Sequence, residues 1–113
     1  MTAPAPPLRV SAESRGGWMV VVVAGEVDYQ TCPELTAALE PVLEGQQRPR
    51  VAIDLSGLGF CDSSGLRCLV AAWKRVRGRD GQFLLLRPPG AFRRRIELAG
   101  LGGQLRSADS LPG

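Results

Sequence analysis

Histidine is absent from this sequence. Without an imidazole base, serine and cysteine catalysis of the Ser-His-Asp and Cys-His kinds is removed. Zinc sites that need a histidine ligand go with it. Cysteine is scarce. Cys32, Cys61 and Cys68 form no close metal-ligand pair, and an odd number argues against a complete disulfide framework. Reduced thiols are expected, with Cys61 and Cys68 as small buried hydrophobes. Aromatic residues are only 5% of the chain, and none interleave with the basic run Arg93-Arg94-Arg95 as base-stacking platforms would. That run reads as a solvated helix face. No phosphate-cradling glycine loop with a lysine is present. The longest apolar run, Trp18 to Ala24, is far too short for a bilayer. The N-terminus lacks the basic and apolar stretches of a secretory signal. The expectations are therefore no cofactor, no metal, no membrane, no direct nucleic-acid partner and a cytoplasmic location.

What is present is ordinary in bulk. The 113 residues suggest one domain, and 44% hydrophobic with 22% charged residues suits a globular core. A net charge of +3 is mild.

The apolar pattern gives the order of elements. Residues 1–7 hold three prolines and read as a loose arm. Leu8 to Glu13 reads as a short strand, Arg15-Gly16-Gly17 as a hairpin turn, and Trp18 to Ala24 as a buried strand rich in valine. Thr31 with Glu34 fits a capping box, and Leu35, Ala38, Leu39, Val42 and Leu43 follow one helical face. Pro41 predicts a kink or an early end to that helix. Val51 to Leu55 is the next strand. Leu66, Leu69, Val70, Trp73 and Val76 then line a second helix, closed by Gly78 and Gly81. Phe83 to Leu86 is a strand. Pro88-Pro89-Gly90 opens a third helix carrying Phe92, Ile96 and Ala99, and a last short strand falls near Gln104 to Ser107. Strands alternating with helices predict an α/β fold: a mostly parallel sheet of four or five strands, an antiparallel N-terminal hairpin, and three or four helices packed on it. The domain is expected over residues 8–108, with residues 109–113 as a flexible tail.

Asp62-Ser63-Ser64-Gly65 lies where the third strand hands over to the second helix. Sites on such sheets gather beyond the carboxyl ends of strands. A helix N-terminus presents unpaired N–H groups and partial positive charge, and so accepts a phosphate. Two readings fit. Asp62 or Ser63 caps the helix, or Ser63 is a regulatory phosphorylation site. Asp62 either caps or faces a partner. Ser64 supports the loop by bonding to backbone. Gly65 either keeps the junction open to a partner or lets the helix pack tightly on the sheet. The junction superficially resembles a nucleophile elbow, but it is not Gly-x-Ser-x-Gly and no histidine activates the hydroxyl. No enzyme activity is expected.

The order of elements, Gly25-Glu26-Val27-Asp28 after a valine strand, Phe60-Cys61-Asp62-Ser63-Ser64-Gly65-Leu66, Gly81 before the fourth strand, and Arg94-Arg95-Ile96-Glu97-Leu98-Ala99-Gly100-Leu101 together resemble the STAS domain. Within it they are most similar to bacterial anti-sigma factor antagonists. The resemblance covers roughly residues 8 to 108. It implies a protein that binds an anti-sigma factor, itself a serine kinase, and so frees a sigma factor for transcription. The kinase would phosphorylate the first serine of the motif, Ser63, and separate the complex; a PP2C-like phosphatase would restore it. The implied partner surface comprises Glu26, Asp28, Asp62, Ser63, Ser64 and Gly65. The alternative the resemblance leaves is a soluble accessory subunit of a lipid or anion transport system.

Overall fold

The computed structural model describes residues 8–112; the proposed N-terminal arm lies outside them. Strand β1, Leu8–Arg15, turns through Gly16 and Gly17 into β2, Trp18–Val27. Both turn glycines have positive φ, +57° and +82°. A two-residue hairpin loop of that hand matches the twist of its strands, and only glycine adopts it freely at both positions. Helix α1, Cys32–Leu43, leads to β3, Arg50–Cys61, and helix α2, Ser63–Arg77, to β4, Gln82–Leu86. Helix α3, Gly90–Leu98, precedes the two-residue β5, Ser107–Ala108.

The five strands lie in chain order, with β1 antiparallel to β2 and every later pair parallel. Successive right-handed crossovers in one direction put all three helices on the same face. There Val21, Val23, Ile53, Leu55 and Leu85 meet Leu35, Leu39, Leu69, Val76, Phe92 and Ile96. The opposite face carries a smaller cluster of Trp18, Val20, Ala52 and Leu84. Two of residues 109–112, the described part of the expected flexible tail, make contacts. Leu111 packs on that cluster, and Asp109 pairs with Arg93 at 3.0 Å.

Four local expectations are corrected. Helix α1 runs through Pro41 rather than breaking there. The proline lies in the last turn, on the exposed side, where the one missing N–H costs little. Thr31 forms no capping box: it stands at the N-cap without a side-chain cap bond. Strand β3 continues six residues past Leu55, because pairing with Ala24–Val27 outweighs the loop-like sequence Ser56-Gly57-Leu58-Gly59. Finally, Cys32 and Cys68 form a disulfide, with Cα atoms 5.9 Å apart. Their separation of 36 residues gives no hint of it; the packing of α1 on α2 brings them together. Among the described residues only Cys61 is a free thiol, and it is buried.

One carboxylate is buried in the sheet. Asp54, 3% exposed, accepts bonds from the Ser56 N–H at 2.9 Å, the Ser56 hydroxyl at 2.8 Å and the Arg87 guanidinium at 2.7 Å. Burial alone would raise its pKa; those donors outweigh burial and hold the carboxyl below its usual range. A carboxyl depressed on folding adds stability above its unfolded pKa of about 3.9, and that stability is lost as pH falls through the lower folded value. Asp54→Asn is therefore expected to flatten the acid limb of the stability–pH curve below about pH 4. Chemical unfolding at stepped pH checks this, and an unchanged acid limb would contradict it.

Candidate functional site

Strand β3 ends at Cys61 and α2 begins at Ser63, so a single residue makes the junction. Asp62 is extended, with φ −89° and ψ −171°, as an N-cap residue must be. Its Oδ1 accepts the Gly65 N–H at 2.8 Å, and its carbonyl accepts the Leu66 N–H at 2.9 Å. Asp62, left open between cap and partner contact, is thus a cap. The helix starts at Ser63, and that carboxylate closes its first turn.

Ser63 is the first helical residue and is exposed. No described residue forms a hydrogen bond to its hydroxyl, so no base is positioned on it. Its N–H, and that of Ser64, belong to the helix end that lacks intrahelical acceptors. Ser64 is half-buried and forms no bond to backbone; Asp62 takes the role expected of it.

Gly65 is buried, and this corrects its place on the partner surface. A Cβ there would lie 2.0 Å from the Val27 carbonyl oxygen and 2.7 Å from Cys61 Sγ. Its lack of a side chain lets the first turn of α2 sit on the end of β2. Cys61, beside it, has its thiol pushed up to about 11, by burial first and then by the nearby Asp62 and Asp28 carboxylates, against the opposing pull of Arg95. It stays protonated at neutral pH and is no nucleophile.

The two acidic candidates on the neighbouring strand end differ. Glu26 is exposed and pairs in register with Phe60 on β3. Asp28 is committed internally: its Oδ1 accepts the Gln30 N–H at 2.9 Å and the Thr31 N–H at 3.0 Å. The Thr31 hydroxyl, on a residue only 2% exposed, donates to the Glu26 carbonyl at 2.8 Å and accepts the Asp28 N–H at 3.0 Å. Asp28 therefore shapes the turn that presents Glu26 and Tyr29.

Sequence reasoning missed three features. Tyr29, 81% exposed, and Phe60, 55% exposed, stand on the same rim as Ser63. Large exposed aromatics are an interface signal, and Phe60 was visible inside the motif. A groove of about 360 Å³ runs from Ser63 along α2, floored by Leu66, Val70 and Leu101 and edged by Arg67 and Lys74. Its signal was the half-buried Leu66 and Val70 at helical spacing. Lastly, the arginines of α3 are not simply solvated: Arg95 donates to the Cys61 carbonyl and Arg93 pairs with Asp109, while Arg94 makes no side-chain bond among the described residues. Among the described residues no cluster suits a metal ion.

A one-sided α/β sheet with an unengaged serine at a helix N-terminus, ringed by exposed aromatics and a groove, defines a small regulatory recognition domain. The chain belongs to the STAS domain family: the family model described as "Mlab, STAS domain" matches residues 10–107. It is 35% identical over 81 residues to the anti-sigma-B factor antagonist of Listeria monocytogenes, covering 72% of this chain and 70% of the relative. It is 31% identical over 104 residues to the anti-sigma-F factor antagonist RsfB of Mycobacterium tuberculosis, covering 92% and 84%. The crystal structure of an anti-sigma factor antagonist from Mycobacterium paratuberculosis superposes with a TM-score of 0.78 at 32% identity, covering 96% and 92% of the two chains.

Two substitutions test how the junction is held. Gly65→Ala forces a clash with backbone that cannot retreat and is expected to cost about 2–3 kcal/mol. Asp62→Ala removes the cap and is expected to cost about 1 kcal/mol. Denaturant unfolding measures both; a Gly65→Ala midpoint equal to wild type would contradict the packing role.

Proposed function

We propose that this protein is an anti-sigma factor antagonist controlled by phosphorylation of Ser63. The observation that carries the reading is the exposed, unengaged Ser63 hydroxyl on the first residue of α2. A kinase can reach it without unfolding anything. The unmodified rim of Glu26, Tyr29, Phe60 and Ser63, continued by the groove along α2, is the surface offered to the anti-sigma factor. That factor doubles as the serine kinase, and a PP2C-like phosphatase reverses the modification.

The charge balance sets the sign of the switch. A phosphate brings about −1.5 to −2 charges and three acceptor oxygens. The end of α2 and Arg67, four residues on and lining the same groove, stabilise it within the free protein. Asp62, directly adjacent, opposes it. An interface closed around a neutral hydroxyl pays to desolvate that charge, while the released protein does not. The equilibrium shifts toward release with no change in the fold. A loss of about 2.7 kcal/mol weakens binding roughly a hundredfold.

The second reading is a soluble accessory subunit of a lipid or anion transport system. The antagonist relatives weigh the other way. No helix among the described residues is long and apolar enough to cross a membrane. Co-purification with an ATP-binding kinase rather than with transporter subunits separates the two readings.

Calorimetry against candidate anti-sigma kinases tests the switch. Ser63→Ala is expected to bind the cognate kinase as tightly as the unmodified protein, and Ser63→Glu about a hundredfold more weakly. Equal affinities for the two variants would contradict the switch.

A further inference from the structure

A second hollow, larger than the groove at Ser63, lies elsewhere among the described residues. It lies at the opposite end of the sheet, beside the starts of β2, β3 and β4, and encloses about 640 Å³. That is within the range of small-molecule sites, roughly 300–1,000 Å³. Its wall combines three arginines with apolar surface and, among the described residues, contains no carboxylate.

The arginines come from three separate elements. Arg50 starts β3, Arg77 ends α2, and Arg106 precedes β5. None pairs with a carboxylate among the described residues, although four other arginines of the chain do. Arg50 instead lies over the Trp18 ring, 5.1 Å from its centroid, and its Nε donates to Gln82 at 3.2 Å. Three like charges around one concavity raise its positive potential, and low-dielectric walls focus it. A guanidinium fits a phosphate or carboxylate with two parallel bonds, so the wall matches an oxyanion in geometry as well as sign.

Two further features mark this hollow. Strand β5 pairs only with Leu85 and Leu86, so the Gln82–Leu84 stretch of β4, paired with β3 on one side, has no strand on its outer side here. Trp18 Nε1 is buried with no hydrogen-bond partner among the described residues. Orphaned buried donors are rare, and this one belongs to a residue of the same wall.

We infer that this hollow binds a small organic polyanion, whose phosphate or carboxylate groups sit on Arg50, Arg77 and Arg106 and whose apolar part rests against the half-buried Trp73. The site is distinct from the Ser63 rim and does not depend on the proposed function.

The chain supplies its own reporter, because its two tryptophans, Trp18 and Trp73, both line the hollow. Fluorescence of the full chain is titrated with tripolyphosphate and, separately, with citrate, each against sodium chloride at matched ionic strength. A saturable change with a midpoint below about 1 mM is expected for at least one of them. Response to tripolyphosphate assigns phosphate, response to citrate assigns carboxylate, and response to both assigns the shared chemistry. Arg77 and Arg106 are exposed and make no side-chain bonds in the described residues, so the double variant Arg77→Gln/Arg106→Gln should fold; its thermal unfolding checks that. It is expected to weaken binding at least tenfold. No saturable response to either anion, or undiminished binding by the folded double variant, would overturn the inference.

Discussion

The arrangement depends on a contact that involves no side chain. Gly65 rests against the Val27 carbonyl, so close that even a methyl group cannot intervene. This docks the first turn of α2 on the end of β2, while the Asp62 carboxylate holds the same turn closed. Between them the two constraints leave Ser63 one direction to face, outward from the rim. Had the helix started a turn later, the serine would lie on a loop. There it would lack both a fixed position and the partial positive charge of a helix end.

That rigidity is what the proposed switch at the hydroxyl relies on. Strands β2 and β3, hydrogen-bonded in parallel, end side by side and place Glu26 next to Phe60. Asp28 and Thr31 fold the following turn back on itself, which leaves Tyr29 outside. The exposed apolar groups are thus set around Ser63 by backbone bonds rather than by one another. A charge added at their centre changes the surface a partner meets and leaves the scaffold alone. Cys61, buried and protonated below the junction, contributes packing rather than chemistry.

The sequence shows some of this clearly and some not at all. The valine run, the helical spacing of Leu69 and Val76, and the Arg15-Gly16-Gly17 turn read directly, since each follows from local periodicity or backbone sterics. So does the exposed serine at a strand-to-helix junction. Gly65 was ambiguous because an absent side chain is consistent with either access or packing until its neighbours are placed. The length of β3 was hidden because Gly57 and Gly59 have poor strand propensity, which only cross-strand pairing overrides. The Cys32–Cys68 pair and the Arg95 bond to Cys61 join residues 36 and 34 positions apart, and no local pattern encodes them. The cationic hollow is hidden for the same reason: its arginines are scattered along the chain and converge only in the fold.

Intact-mass measurement after incubation with ATP and candidate anti-sigma kinases tests the central claim most directly. The account predicts the gain of a single phosphate by the wild-type chain and none by Ser63→Ala. A phosphate that still appears on Ser63→Ala, or a wild-type chain left unmodified by a kinase that binds it, would contradict the account.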